Sequence, residues 1–310
     1  MARTVRVGII GTGSVGASVA ISVLHAGIAH EVLLQDARAP IAEGEAMDLA
    51  HGAAFLPAAS VRSATIDDML EADAIVIAAG RSGRGDESRL ALLRDNAVVA
   101  RDIGARLHGF HGVVIVVSNP VDVLTHEVAA ASGLPHERVI GTGTMLDTAR
   151  LRQIVGAALQ IDSRSIHAQV VGEHGDSEVV LWSTARAGGV PLGRFPGWGA
   201  DAEARIADQV RTAAYEIIRR KGVTNHAIGL VTSALLRAVL RNENRVLTVS
   251  RVQSGVEGFG DVALSLPTVV GANGAATVIT PEMSDDERTR LERSAGVLRD
   301  ALAALEKHTS

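Results

Sequence analysis

The residue types and spacings with the clearest chemical potential lie around one histidine. His174 lies between glycines in the segment GEHGDS at residues 172–177, directly after a predicted strand at residues 165–171. An unperturbed imidazole has a pKa of about 6.5, which suits proton transfer at neutral pH. The alternative is an ordinary loop histidine, since His occurs 11 times in the chain. His174 is therefore a candidate acid–base residue.

A carboxylate and a guanidinium form a second candidate cluster. Asp147 and Arg150 lie three residues apart in the predicted first turn of a helix, so their side chains project from one face. The pair could equally be a helix-terminal charge and a surface ion pair. Ser118 and Asn119 end a predicted buried parallel strand, which is where ligands collect in such sheets. The bond from Asn119 to Pro120 is a candidate cis peptide.

A glycine-rich loop, GTGSVG at residues 11–16, follows a predicted strand and precedes a predicted helix. Its glycines permit a tight turn, let backbone N–H groups approach a pyrophosphate and allow close packing of helix on strand. Asp36 lies 20 residues beyond Gly16, at the end of the next predicted strand. A carboxylate there accepts hydrogen bonds from a ribose 2′-OH and repels a 2′-phosphate. The loop predicts dinucleotide binding and favours NAD, while Arg38 leaves NADP as an alternative.

Alternating strands and helices in the first half would position these residues. The predicted strands share apolar runs rich in Val and Ile, and lie at residues 5–10, 31–36, 74–78 and 113–117. Helical segments with amphipathic spacing lie between them at residues 14–26, 42–51 and 90–107. This alternation predicts an α/β fold with a doubly wound parallel (Rossmann) sheet.

From about residue 145 the pattern changes to long helices and short strands. Helices are predicted at residues 146–159, 202–220, 227–240 and 284–305, and strands at residues 245–250, 262–266, 268–270 and 276–279. Ser284 is the predicted cap of the last helix. We therefore expect a dinucleotide-binding domain at residues 1–143 and an α+β substrate domain at residues 144–310, with the active site between them.

Composition excludes several classes of protein. The chain is 47% hydrophobic, and its 30 basic and 35 acidic residues give a net charge of −5, so it lacks the basic stripe of a nucleic-acid binder. The absence of cysteine excludes disulfides, thiolate nucleophiles and cysteine-ligated metals, and no metal is expected. Without a signal peptide pattern or a long apolar run, we expect a cytoplasmic protein with no membrane partner.

Taken together, the motifs resemble the L-lactate/malate dehydrogenase family over essentially the whole chain. The matching segments are AEGEAMDL at residues 42–49, ESRL at 87–90, SNPVD at 118–122, LDTAR at 146–150 and GEHGD at 172–176. Glu178 and Trp182, which follow the histidine motif, resemble bacterial L-lactate dehydrogenases in particular. Malate enzymes of this group usually carry Met-Val-Pro after that motif. The resemblance implies reversible hydride transfer between NADH and a small 2-oxo acid.

The resemblance also implies a role for each matching residue. His174 resembles the proton donor and acceptor, and Asp147 the partner that fixes its tautomer. Arg150 matches the clamp on the substrate carboxylate, and Arg89 the loop arginine that polarises the carbonyl group. Thr224 matches a pocket threonine of lactate enzymes. Asn119 resembles a residue near both substrate and nicotinamide, and the implied coenzyme-binding set is Gly11, Gly13, Val15, Gly16, Asp36, Ser118, Asn119 and Ile228.

Substrate choice in this family depends largely on a loop position six residues before Arg89, which here is Gly83. Lactate enzymes usually carry Gln at this position and malate enzymes carry Arg. Arg84 could swing inward to meet a second carboxylate, or it could point to solvent. The sequence therefore favours an L-lactate dehydrogenase. Malate dehydrogenase and a broader 2-hydroxy acid dehydrogenase remain alternatives.

Arg152 and His167 match the pair with which many bacterial lactate dehydrogenases bind fructose 1,6-bisphosphate at a subunit interface. Two cations held together across a symmetry axis repel until a phosphate pairs with them. The resemblance thus implies an allosterically activated homotetramer. The alternative is a helix-surface arginine and a strand histidine without this role.

Two other classes fit less well. NAD-dependent glycosidases of a related fold typically need cysteine among their metal ligands, and this chain has none. A non-enzymatic NAD sensor would have no need to retain His174, Asp147, Arg150 and Arg89 together.

Overall fold

Six parallel strands form the first part of a large sheet. The computed structural model describes residues 4–81, 89–254, 256 and 259–307. For Arg89 it describes the backbone and not the side chain. The strands lie side by side in the order β3-β2-β1-β4-β5-β6. Their bounds are β1 (Arg6–Ile10), β2 (Glu31–Gln35), β3 (Ser60–Ser63), β4 (Ala74–Ile77), β5 (Val113–Val116) and β6 (Val139–Gly141). This is the strand order of a dinucleotide-binding fold, and it confirms the predicted class.

Helices cover both faces of this sheet. The helices of the described residues are α1 (Ser14–Ala26), α2 (Ala39–His51), α3 (Arg89–Arg106), α4 (Val121–Ser132), α5 (Met145–Leu159), α6 (Ala200–Lys221), α7 (His226–Leu240) and α8 (Asp285–Glu306). Of these, α6 packs with α5 and the short strands of the second half in a separate core. Alternate residues of a strand face opposite sides, so Ile75 and Ile77 belong to the core under α3 and α4. Ala74 and Val76 belong to the core under α1 and α7.

Three antiparallel strands of the second half extend the same sheet. They are β12 (Arg245–Val252), β13 (Ala263–Gly271) and β14 (Gly274–Val278). Ser250 of β12 pairs with Gly141 of β6, where an added Cβ would lie 2.4 Å from the Thr125 hydroxyl. The sheet is therefore mixed, and it carries the end of β6 directly into α5.

Two strand predictions are wrong. Residues 262–266 and 268–270 form one strand, β13, because Pro267 stays in the ladder opposite Thr248 of β12 and its carbonyl oxygen accepts from Ile279 N–H at 2.7 Å. Residues 165–171 form two short strands, β7 (Ile166–His167) and β8 (Val170–Val171). The two strands belong to different sheets. Strand β7 pairs with β10 (Arg186–Ala187), which in turn pairs with β11 (Val190–Pro191). Strand β8 pairs with β9 (Val179–Val180).

The predicted helices are all present, with ends within three residues of their expected positions. Helix α4 and the strands β3, β6, β9, β10 and β11 are additional, since short or polar segments give a weak periodic signal. Asn119–Pro120 is cis, as expected. Among the described residues, no helix has the length and apolar character to span a membrane.

Candidate active site

The imidazole of His174 and the carboxylate of Asp147 form the central contact of the site. Nδ1 of His174 lies 2.5 Å from Oδ2 of Asp147. The Asp147 side chain is 3% exposed in the first turn of α5, whereas that of His174 is 23% exposed. An Nδ1–H that donates to this carboxylate fixes the tautomer and leaves Nε2 as the nitrogen that can exchange a proton with a ligand.

Arg150 binds the other oxygen of the same carboxylate. Its Nη1 donates to Oδ1 of Asp147 at 2.8 Å, and its side chain is 14% exposed. The predicted placement of both residues on one face of the helix is therefore confirmed. Because a guanidinium has five N–H donors, Arg150 can hold Asp147 and still offer a planar pair of donors to a ligand carboxylate.

Electrostatics keep the histidine protonated near neutral pH. Burial alone would lower the pKa of His174, but the charge and hydrogen bond of Asp147, together with the charges of Asp122 and Glu178, raise this pKa to about 9. Burial also opposes ionisation of Asp147, yet His174 and Arg150 hold the pKa of this carboxyl group below its usual value. The pair is thus an imidazolium beside a carboxylate.

Three consecutive backbone N–H groups fix the loop that carries the histidine. Gly172 donates to the Ser265 carbonyl in β13 at 2.9 Å, and Glu173 donates to the Ser294 hydroxyl in α8 at 2.8 Å. His174 donates to Oδ2 of Asp122 in α4 at 2.7 Å. Three elements far apart in sequence therefore hold the imidazole in place.

Asp122 is the functional residue that sequence reasoning missed. It occurs in the SNPVD segment, but nothing in the spacing indicates that its carboxylate reaches a loop 52 residues away. Burial raises its pKa to about 6, against the opposing effect of its hydrogen bonds. The only sequence signal is an acidic residue in the first turn of a helix that follows a candidate ligand-binding strand end.

The glycine loop has the geometry expected for a dinucleotide site. Gly11 has φ +93° and donates to the Gln35 carbonyl at 2.7 Å. An added Cβ at Gly16 would lie 1.9 Å from the Gly11 carbonyl oxygen, whereas one at Gly13 would meet nothing within 4 Å. The loop thus packs against its own backbone at Gly16 and faces open space at Gly13.

Asp36 lies next to this loop as predicted. Its Oδ2 accepts a hydrogen bond from Thr12 N–H at 3.0 Å. Burial opposes ionisation, but N–H groups of Arg38 and Thr12 hold the pKa of Asp36 below its usual value. The Arg38 side chain is 78% exposed and its Nε lies 3.9 Å from Oδ1 of Asp36. A charged carboxylate at this position suits a ribose hydroxyl better than a phosphate.

Of the remaining predicted residues, Ser118 and Asn119 follow the end of β5, and the others lie in or beside α1 and α7. The Ser118 hydroxyl donates to the Ala79 carbonyl at 2.5 Å, and the Asn119 amide oxygen accepts from Val121 N–H at 3.3 Å. Val15 and Ile228 are half-buried and pack against the core under α1 and α7. Thr224, also half-buried, precedes α7.

Three substrate-loop positions fall outside what the structure describes. Gly83 and Arg84 lie outside the described residues, and so does the side chain of Arg89. Arg89 is the first residue of α3. Within the described part of the chain, the candidate residues therefore form two groups, the Asp147, His174 and Arg150 cluster and the glycine loop with Asp36.

Two protein-family models match this chain, one over each half. Residues 5–141 match the family model for the NAD-binding domain of lactate/malate dehydrogenases, and residues 144–309 match that for their alpha/beta C-terminal domain. This chain belongs to the lactate/malate dehydrogenase family. As a member of that family it is an oxidoreductase with an NAD-binding domain. The resemblance found in the sequence is confirmed.

Named relatives within the family are lactate enzymes. The chain is 43% identical to the L-lactate dehydrogenase of Bacillus caldolyticus, over 96% of both chains. It is 44% identical to the L-lactate dehydrogenase of Salinibacter ruber, over 96% of this chain and 97% of the relative. The crystal structure of the minor L-lactate dehydrogenase from Enterococcus mundtii, in its ligands-bound form, superposes with a TM-score of 0.95 at 38% identity and covers 97% of this chain and 98% of that chain.

The glycine loop generates a direct test of the coenzyme site. Gly13→Ala is expected to weaken NADH binding about tenfold, or about 1.4 kcal/mol, because the added methyl group enters the open space that a pyrophosphate would approach. The melting temperature should not change. Isothermal titration calorimetry of NADH is the measurement. Gly44→Ala, at an exposed glycine of α2 that also has open space around it, is the matched control. If Gly13→Ala binds NADH with wild-type affinity, this loop is not part of the coenzyme site.

Proposed function

We propose that this chain is an NAD-dependent L-lactate dehydrogenase that interconverts pyruvate and L-lactate. The observation that carries the proposal is the buried Asp147 carboxylate, which holds His174 on one oxygen and Arg150 on the other. An acid–base group and a carboxylate-binding group are thereby fixed side by side. The lactate enzymes among the relatives support the choice of pyruvate.

Substrate binding is assigned to Arg150, Asn119 and Thr224. The Arg150 guanidinium can pair with both oxygens of the pyruvate carboxylate, which fixes the carbonyl group near His174. Arg89, at the start of α3, is proposed to polarise the carbonyl oxygen as negative charge develops on it. Gly83 and Arg84 are proposed to lie above the substrate side chain.

His174 performs the proton transfer. When bound, the coenzyme supplies the hydride to the carbonyl carbon of pyruvate. The proton on Nε2 of His174 moves to the carbonyl oxygen, and neutral imidazole keeps its Nδ1–H bond to Asp147. In the reverse direction Nε2 removes the hydroxyl proton of lactate. Asp147 remains ionised throughout, since its carboxylate stabilises the imidazolium.

The residues present fit the coenzyme. The N–H groups of the glycine loop would hold the pyrophosphate, because Gly13 leaves that side of the loop open. The charged Asp36 would accept from the adenosine ribose, and Val15 and Ile228 would pack on the nicotinamide side. We propose that residues 1–143 hold most of the coenzyme, and that residues 144–310 supply His174, Arg150 and the nicotinamide contact of Ile228.

Substrate preference is the first prediction of this function. In NADH oxidation assays with pyruvate, oxaloacetate, 2-oxobutyrate and branched 2-oxo acids, kcat/KM should be highest for pyruvate, by about tenfold or more over oxaloacetate. Burying a second, unpaired carboxylate is costly, and Gly83 supplies no charge to pair with it. A preference for oxaloacetate would mean that a loop arginine reaches the site and that malate is the substrate.

The pH dependence tests the Asp147–His174 pair. Pyruvate reduction needs protonated His174, so its rate should be lost as the pH rises through about 9. Asp147→Asn removes the charge that raises this pKa, so the loss should move to lower pH and kcat should fall by about 100-fold or more. Asp162→Asn, which breaks an exposed ion pair with Arg164, is the control. A wild-type profile in Asp147→Asn would refute the assigned role.

Regulation is proposed to act through Arg152 and His167. Arg152 donates to the Ala168 carbonyl at 3.0 Å, next to the exposed His167 on β7. Arg152 also lines a cavity of about 370 Å³ with Arg245. Burial and the charge of Arg245 lower the pKa of Arg152, so an anion bound there would relieve the repulsion.

A homotetramer is the proposed assembly. Several large apolar side chains are exposed on the described surface of the single chain. Phe55 is 91% exposed, Leu230 66% and Met47 62%. Contacts between copies would cover such surface.

Fructose 1,6-bisphosphate should raise kcat/KM for pyruvate and shift sedimentation toward the tetramer. Two phosphate groups would pair with the Arg152 and His167 side chains brought together at the interface. Arg152→Gln should lose both responses while keeping basal activity, and Arg194→Gln, at an exposed arginine elsewhere, should keep them. If the bisphosphate changes neither activity nor assembly in the wild-type protein, the regulatory proposal fails.

A further inference from the structure

A hydroxyl group lies on the buried face of the last helix, α8. Leu291 and Ala295 of this helix belong to the same hydrophobic core as Val171 of β8 and Val179 of β9. Ser294, between them in sequence, is fully buried as well. Burying a hydroxyl group is unfavourable unless it is hydrogen-bonded, so the partners of Ser294 indicate what this side chain does.

The Ser294 hydroxyl bonds with two residues of the loop that carries His174. Its oxygen accepts from Glu173 N–H at 2.8 Å and lies 3.0 Å from the hydroxyl oxygen of Ser177. Gly172 makes this close approach of α8 possible, since it has φ +94° and an added Cβ would lie 2.8 Å from Oγ of Ser294. The contact between α8 and the loop therefore depends on a residue without a side chain.

These contacts close a ring of hydrogen bonds. The Ser177 hydroxyl donates to Oε2 of Glu173, and the Ser177 N–H donates to the same oxygen at 3.3 Å. A backbone N–H only donates and a carboxylate oxygen only accepts, so the direction of the ring is fixed. Ser294 accepts from the Glu173 N–H and donates to Ser177, which donates to the Glu173 carboxylate. The ring thus runs from the backbone of Glu173, through α8, to the side chain of the same residue.

His174 directly follows the residue at which this ring begins and ends. An added Cβ at Gly175 would lie 2.8 Å from Oε1 of Glu173, so the Glu173 side chain packs against the turn that carries the histidine. The N–H of His174 is held separately by Asp122, at 2.7 Å. The ring therefore fixes the backbone on both sides of His174, and the place of the imidazole beside Asp147 depends on α8.

We propose that Ser294 is a positioning residue for proton transfer. Through the ring of hydrogen bonds it holds the His174 imidazole where Nε2 reaches the carbonyl oxygen of the substrate. The inference rests on the proposed role of His174. Without the hydroxyl group, the half-buried Glu173 N–H would lose its acceptor, and the loop would shift to regain one. A small displacement of the acid slows proton transfer more than substrate binding, since Arg150 binds the substrate carboxylate from a different element, α5.

Ser294→Ala tests this proposal because it removes only the hydroxyl group. In single-turnover stopped-flow experiments with pyruvate, the rate of NADH oxidation is expected to fall about tenfold, while KM for pyruvate and the Kd of NADH stay within about twofold. Ser132→Ala is the matched control, since Ser132 is also fully buried and its hydroxyl bonds within the end of α4. A purely structural role of Ser294 would lower the melting temperature of both variants and leave both rates at the wild-type value.

Ser177→Ala opens the same ring at a partly exposed residue, so it guards against a folding defect in Ser294→Ala. Its rate should fall about threefold, and the double variant should be no slower than Ser294→Ala, since both changes break one network. Hydrogen exchange measured by mass spectrometry needs no turnover, and residues 172–177 should exchange faster in Ser294→Ala than in Ser132→Ala.

The inference is overturned if Ser294→Ala keeps the wild-type rate or the wild-type exchange of residues 172–177. It is also overturned if the effects of the two serine changes multiply in the double variant. No turnover of any 2-oxo acid by wild-type protein would instead overturn the proposed function.

Discussion

The Asp147 carboxylate, buried between two cations, is the interaction on which the site depends. A carboxylate that is 3% exposed is unfavourable unless its oxygens are paired. His174 takes Oδ2 and Arg150 takes Oδ1, so each oxygen has a charged donor. The distance between the proposed acid and the proposed carboxylate clamp is therefore set by the width of one carboxyl group. Loss of Asp147 would free both side chains at once.

The fold fixes each partner of this carboxylate independently. Asp147 and Arg150 share one turn of α5, which begins where β6 ends and where β12 joins the sheet through Ser250. The His174 loop comes from elsewhere in the chain and is held by β13, α8 and α4. β13, α8 and α4 all contribute side chains to one hydrophobic core on the mixed sheet, so these supports are packed together. The two family models meet near residue 143, whereas the large sheet runs across that boundary.

Local sequence patterns predicted the parts of the site that are local in the chain. The glycine loop, Asp36 and the Asp147–Arg150 pair depend on spacings within one or two elements, and they lie where the patterns indicate. Asp122 was missed because its contact with the His174 backbone spans 52 residues. The break of residues 165–171 into two strands has the same origin, since each half pairs with a different sheet. Such features depend on tertiary pairing that periodicity does not encode.

The charge balance of the described cluster favours a monoanionic ligand. Near neutral pH, His174 and Arg150 carry positive charge and Asp147 carries negative charge, while the raised pKa of Glu178 keeps its carboxyl group mostly neutral. These side chains sum to one positive charge, which one substrate carboxylate neutralises. A second carboxylate would leave a buried negative charge beside Asp147, unless an arginine of the substrate loop paired with it.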